Sequence, residues 1–268
     1  MGTIQDERHK TVVKANSLIQ KSRFSLSAQQ QKILLYLISK ISPKDEEFKI
    51  FTFSIQDFCR ICGIDCSAGK NYADMKAAVK DLRDKSVWIE LEDGRETTVS
   101  WIERPFIDTR SGTIQIKIDD FMKPYLLQLK ENFTQYDLIY ALHFKSKYSI
   151  RLYELMQSVH YHELSEYSCV FEVDELKERC GAETYKYRDF KKGILELALR
   201  EINQYSEKNV RYEEIKRGKK VIAVEFFISS KSYEERLSVE NIVEKGMGEE
   251  SPSSWEQVLA LGEDGRKP

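Results

Sequence analysis

The sequence predicts an α+β chain of two tandem winged-helix domains related by an internal repeat. Three observations carry this. A long stretch of helical period, Tyr187 to Tyr205, runs into two strand-like segments joined by the basic turn Lys216-Arg217-Gly218-Lys219-Lys220. The order helix, strand, helix, helix, hairpin occurs in both halves of the chain. Residues also match at a constant spacing: Phe53, Ile55, Phe58, Cys62 and Gly63 each lie 118 positions before Phe171, Val173, Leu176, Cys180 and Gly181. Tyr72-Ala73-Asp74-Met75-Lys76 then matches Tyr187-Arg188-Asp189-Phe190-Lys191 at a spacing of 115, so the second half has a loop shorter by three.

Taken in order, residues 1–14 are polar and are expected to be loose. Val12 to Ile19 is a short apolar segment, helix or strand. Ser27 has the character of an N-cap, with Gln30 at capping-box spacing. The helix it opens runs to about Ile41 with Ile33, Leu34, Leu37, Ile38 and Ile41 inward, and Ser42-Pro43 ends it. Phe48 to Phe53 alternates as a strand. Ser54 to Cys62 is a short helix stopped at Gly63. Asn71 to Lys85 is a helix with Tyr72, Met75, Val79 and Leu82 on its apolar side and Lys76, Lys80 and Arg83 on an outer one. Strands follow at Val87–Leu91, Thr97–Ile102 and Thr113–Ile118, with Asp93-Gly94 and Ser111-Gly112 as turns.

Glu131 to Lys147 is mixed, without Gly or Pro, and is expected to be a packed helical or irregular linker rather than a flexible tether. In the second half, Ile150 to Tyr161 is helical in period, Cys169 to Val173 is a strand, and Asp174 to Cys180 is a helix ended by Gly181. The long helix places Phe190, Ile194, Leu197, Ala198, Ile202 and Tyr205 on one stripe. Strands are expected at Val210–Ile215 and Val221–Ile228. The expected domains are 1–130, a linker over 131–147, a second domain over 148–232, and a flexible, disordered C-terminal tail over 233–268.

Composition narrows the class. The 268 residues are enough for two domains with real cores, at 41% hydrophobic with 13 Phe and 14 Tyr. Net charge is only -2, so any claim about nucleic acid rests on where the charges lie. Five cysteines, no secretory signal and no membrane-length apolar stretch point to a cytoplasmic protein with reduced thiols and no membrane partner.

Two constellations suggest metal chemistry. Cys59, Cys62 and Cys66 resemble ligand spacing, but Cys59 and Cys62 share a stripe with Ile55 and Phe58 and lack a fourth ligand, which favours core thiols over a metal site. His160-Tyr161-His162 resembles the histidine pair of a rolling-circle nickase. Such a pair needs strand alternation to share a face, whereas here it closes a helical segment and the rings point about 200° apart. No cofactor and no catalytic set is expected. A metal-dependent nickase is the least favoured reading.

The cations fit nucleic acid better. Arg188 and Lys192 lie one turn apart, away from the apolar stripe, with Lys191 on its flank. The turn at Gly218 gathers Lys216, Arg217, Lys219 and Lys220, which repel one another unless an anion is present. A helix in the major groove with a hairpin on the flanking backbone would use both sets. The first copy keeps Lys76, Lys80 and Arg83 on its helix, but its hairpin tip, Glu92-Asp93-Gly94-Arg95-Glu96, is acidic on balance. The second domain is therefore expected to be the main reader of double-stranded DNA. The first would make a secondary contact or serve as a protein–protein surface.

Several runs resemble the iteron-binding plasmid replication initiators: Tyr148 to Leu155; Phe190-Lys191-Lys192 continuing to Glu201-Ile202-Asn203; Tyr212 to Val221; and, in the first half, Val13 to Ile19 and Leu26 to Leu34. The resemblance covers roughly residues 10–230. It implies two winged-helix domains that bind directly repeated origin sequences, followed by origin opening and helicase loading with the host initiator and replicative helicase as partners. It also implies a monomer–dimer equilibrium in which dimers, joined through the first domain, repress their own promoter or pair origins, a route to plasmid copy control. Carried over by position, the DNA-binding residues are Tyr187, Arg188, Lys191, Lys192, Lys216, Arg217, Lys219, Lys220, Lys76, Lys80 and Arg83. A winged-helix repressor with no role in replication and a protein-interaction scaffold remain alternatives.

Overall fold

The computed structural model describes residues 3–42, 44–63, 69–91, 93–160 and 165–246. The first half runs α1 (Ile4–Arg8), β1 (Thr11–Ala15), α2 (Asn16–Gln20), β2 (Ser22–Arg23), α3 (Ala28–Ser39), β3 (Phe51–Ser54), α4 (Ile55–Ile61), α5 (Gly69–Arg83), β4 (Ser86–Glu90), β5 (Glu96–Ser100), β6 (Phe106–Asp108) and β7 (Thr113–Ile116). A 3₁₀ turn at Asp120–Met122 leads to α6 (Lys123–Leu126), β8 (Phe133–Asp137) and α7 (Leu138–His143). The second half runs α8 (Lys147–Ser158), β9 (Glu166–Glu172), α9 (Val173–Arg179), α10 (Tyr187–Phe190), a π turn (Lys191–Leu195), α11 (Glu196–Tyr205), β10 (Lys208–Arg217), β11 (Lys220–Ser230) and α12 (Tyr233–Gly246).

The repeat is visible in side-chain packing and backbone angle. Ile55 and Val173, Phe58 and Leu176, and Cys62 and Cys180 are buried pairwise. Cys62 and Cys180 are the C-caps of α4 and α9, and the next residues, Gly63 and Gly181, both sit at φ 63°. That left-handed angle ends a helix without the strain a Cβ would add. The copies part at the hairpin. In the second half β9, β11 and β10 form one sheet, whereas in the first half β3 pairs with β7 and the β4–β5 hairpin pairs with β2.

Capping sets the start of α3, the most buried helix of the first half. Ser27 Oγ accepts from the Gln30 amide at 3.2 Å, and Gln30 Oε1 accepts from the Ser27 amide at 2.9 Å. Both orphan donors are thereby satisfied.

Expectations for three segments of the chain are corrected. Residues 1–14 hold α1 and β1: Thr3 and Asp6 form a capping box for α1, and Arg8 donates to the Ile61 carbonyl at the end of α4. The expected helical or irregular linker over 131–147 contains β8, paired antiparallel with β1 from Thr11↔Asp137 to Ala15↔Phe133, and then α7 with Leu138 to Leu142 buried. Pairing with a strand more than 100 residues away leaves no local signal. Residues 233–246, placed in a flexible tail, form α12. Its Val239 and Val243 pack on Ile139 and Tyr140 of α7, and a Ser232–Glu235 capping box opens it. The rest of the expected tail, with Trp255, Val258, Leu259 and Leu261, lies outside the described residues, as do Glu92, Tyr161 and His162.

The two halves share one continuous core, and α8 stands at its centre with every residue from Ser149 to Ser158 buried. It packs on α2, α3 and β8 on one side and on α11 on the other. Its Arg151 ties the halves together. Nη2 donates to the Ser22 carbonyl at 2.6 Å and Nε to the Arg179 carbonyl at 2.8 Å, while the guanidinium lies 4.8 Å from the Phe24 ring. Burial pulls the Arg151 guanidinium down to about 10. Arg23 adds a second tie, with ion pairs to Glu96 of β5 and, at 2.6 Å, to Glu178 of α9.

Cys62 and Cys180 are buried core thiols, each pushed up to about 12 by desolvation. Cys59 is disulfide-bonded, which corrects the expectation that all five thiols are reduced. Cys66 lies outside the described residues, and among those residues no group of three or more His, Cys, Asp or Glu side chains is placed to hold a metal. Among the described residues, no helix is long and apolar enough to cross a membrane.

Candidate nucleic-acid interface

The cations of the second half expected at DNA lie on one continuous helical segment, α10 and the π turn leading into α11, and on the hairpin that follows it. Phe190, Ile194, Leu195, Ala198, Leu199 and Ile202 bury the inner side of the helix. Leu197, expected inward, is 38% exposed. The π turn inserts one residue into the helical ladder, which rotates the following turns and brings Leu195 and Leu199 inward instead. Such turns are frequent at functional sites, and this one carries Lys191 and Lys192.

The outer side presents Arg188, whose side chain is 83% exposed and whose Nε is 3.4 Å from Asp189 Oδ1. Exposure and a long hydrogen bond leave that guanidinium available to another partner. Lys192 is exposed one turn on, and so are Lys186, which caps α10, and Arg200 on α11. The sequence reading did not include Lys186 or Arg200 in the site; plain charge on the outer face was the signal for both.

The hairpin is long. At ~3.3 Å per residue, β10 and β11 span about 30 Å, with their tip residues Lys216 to Lys220 all exposed. Gly218, at φ 62°, makes the turn. A bulge between Ile215 and Lys216 shifts the register just below the tip, where such a kink re-aims a strand.

Helix and hairpin are joined by a carboxylate that the sequence reading missed. Glu214 Oε1 accepts from the Tyr187 hydroxyl at 3.0 Å and from Lys191 Nζ at 2.8 Å, and its Oε2 lies 3.2 Å from Lys216 Nζ. The Lys191 ammonium holds the Glu214 carboxyl below its usual range, and Glu214 in turn raises Lys191. Lys191 Nζ also stands 5.8 Å from the centre of the Tyr212 ring. The signal in sequence was alternation along β10, which puts Tyr212 and Glu214 on the side facing the helix.

The predicted residues thus divide. Arg188, Lys192, Arg217, Lys219 and Lys220 are exposed, and among the described residues no side-chain hydrogen bond or ion pair ties the last four within the chain. Tyr187, Lys191 and Lys216 are gathered on Glu214. In the first half Lys80 and Arg83 are exposed on α5 and Lys76 is half-buried. The first hairpin neutralises itself: Arg95 pairs with Asp93 at 2.7 Å within the turn, and Glu96 is committed to Arg23. α8 ends at Ser158 with Val159 as its C-cap, so His160 lies past the helix instead of closing a helical segment as expected, and its ring stacks 4.7 Å from that of Tyr167.

A family model described as the WH1 domain of initiator replication proteins matches residues 11–157, and one described as the WH2 domain of initiator Rep proteins matches residues 172–228. The crystal structure of the Pi initiator protein in complex with iteron DNA is similar over 84% of this chain and 99% of its own, at 19% identity and a TM-score of 0.70. The two family models, with this likeness in fold, bear out the expected pair of winged-helix domains. The WH1 domain of MSBI1.176, a replication protein isolated from a multiple sclerosis patient, aligns over 50% of this chain and 86% of its own at 17% identity, with a TM-score of 0.27.

Proposed function

This chain belongs to the initiator replication protein family, with the WH1 and WH2 domains in tandem, and on that premise we propose that it binds directly repeated double-stranded origin DNA, iterons, to initiate plasmid replication. The observation that carries the reading is the exposed cationic surface shared by α10, the π turn and the tip of the β10–β11 hairpin. The helix enters a major groove and the hairpin follows the flanking phosphates. The first domain makes the secondary contact through Lys76, Lys80 and Arg83, because its own hairpin offers phosphate no free cation at Arg95. The protein acts in the cytoplasm by binding rather than by catalysis, without metal or cofactor. Origin opening, loading of the replicative helicase with the host initiator, and repression of its own promoter as a dimer follow from that binding.

A plasmid carrying only this gene and its flanking repeats tests the reading. Autonomous replication in a suitable host is expected; specific binding without replication would leave a repressor.

Within the site, Arg188 is assigned to a base edge because guanidinium matches guanine in the major groove. Arg188→Ala should cost about 1–3 kcal/mol of discrimination between repeat and scrambled DNA. Lys192→Ala should weaken both DNAs alike. Competition binding reads the difference, and equal losses for both DNAs in Arg188→Ala would remove Arg188 from the base-reading role.

A further inference from the structure

We propose that Glu214 is a positioning and specificity-determining residue: it fixes the reading helix against the hairpin and withholds two cations from indiscriminate phosphate binding. This deepens the DNA-binding reading above and rests on it. The carboxylate stands on the helix-facing side of β10 with its side chain 17% exposed, so water competes for it only weakly. It collects three donors from two elements: Tyr187 and Lys191 from the helix, Lys216 from the hairpin. All three lie among the residues that would meet DNA. An acidic group in that place is unfavourable for phosphate, so its presence needs a reason other than affinity.

The geometry supplies that reason. Lys191 and Lys216 have long, freely rotating stems, and each has a large rotamer entropy to lose when it meets a fixed partner. Held on Glu214, both ammonium groups are already localised, and the helix and the β10 strand are fixed at one spacing. DNA whose backbone path matches that spacing can share the two ammonium groups with the carboxylate. DNA in another register must take them away from it. Non-specific binding therefore loses more than specific binding does, which is discrimination by an opposed charge.

Glu214→Gln keeps the side-chain volume and an acceptor for the Tyr187 hydroxyl while removing the charge. Affinity for scrambled duplex and for repeat duplex would be measured across a salt series for the wild type, Glu214→Gln and Glu214→Asp. The expected result for Glu214→Gln is a tenfold or greater gain on scrambled DNA with a salt slope steeper by about one to two, as two cations are released to phosphate. The gain on the repeat is smaller, so the specificity ratio falls about tenfold, and Glu214→Asp restores part of it. In a background where Lys191 and Lys216 are both Gln, the effect of Glu214→Gln on the ratio should vanish; this cycle also separates the charge effect from any loss of fold. An unchanged ratio in Glu214→Gln, or the same change in the Gln background, overturns the proposal. A wild type with no preference for the repeat overturns the DNA reading, and this proposal with it.

Discussion

Glu154→Ala is expected to lower the unfolding free energy by about 3–5 kcal/mol, the scale for breaking one side of a buried ion pair. Glu154 lies on α8, and its Oε1 accepts from Lys14 Nζ of β1 and from the Tyr136 hydroxyl of β8, both at 2.5 Å. The Lys14 and Glu154 side chains are only 8% and 2% exposed. Removing the carboxylate leaves an ammonium group and a phenol hydroxyl buried with neither water nor counter-charge. The double variant Lys14→Met/Glu154→Leu removes both charges at similar volume and should recover most of the loss, because a buried pair contributes little net stability against apolar packing. Urea unfolding of the two variants measures both effects. By contrast, breaking the exposed pair between Arg60 and Asp57 should change stability by less than about 1 kcal/mol. A loss of that small size for Glu154→Ala would mean that the β1–β8 ribbon is held on α8 by apolar contact alone.

Replacing Arg217, Lys219 and Lys220 together with alanine should reduce DNA affinity by about 500-fold at 0.1 M salt. Each cation that neutralises a phosphate contributes about 0.9 to the slope of log affinity against log salt. If about six cations meet phosphate, the wild-type slope is near -5, and losing three flattens it by about 2.7. Extrapolated to 0.1 M salt, that change corresponds to the loss given. All three residues are exposed at a turn whose Gly218 has open space around it, so the fold should survive the change. Replacing Lys76, Lys80 and Arg83 on α5 should do less, since Lys76 is half-buried and the hairpin of that domain turns its one arginine back on Asp93. Equal losses from the two triple variants would contradict the assignment of the second domain as main reader.

Local chemistry was legible in the sequence wherever one or two residues decide the backbone. Gly63 and Gly181 end their helices at the same φ, and Ser27 with Gln30 caps α3 as its spacing predicts. The repeat was legible because burial around α4 and α9 demands an apolar side chain at each matched position, Ile55 and Val173, Phe58 and Leu176 among them. What was missed depends on distant partners or on a change of period. β8 is a strand because β1 lies beside it. Leu197 faces water because a π turn shifted the helical phase, and a 3.6-residue template cannot express that shift. Two misses had a readable signal. Ser232 and Glu235 have capping-box spacing, and Glu214 sits two residues from Tyr212 on the inner side of its strand. At the interface the cations themselves were legible, but their division into free and withheld groups was not, because it depends on which of them reach one carboxylate.

The most direct test is hydroxyl-radical footprinting of this protein on the DNA upstream of its own gene, comparing the wild type with the Arg217, Lys219 and Lys220 triple variant. The expected pattern is evenly spaced protection over directly repeated sequence, with the backbone sugars flanking each helix-filled groove exposed again in the variant. Uniform protection without regard to sequence, or a variant footprint identical to the wild type, would contradict a second domain that reads DNA through its helix and hairpin.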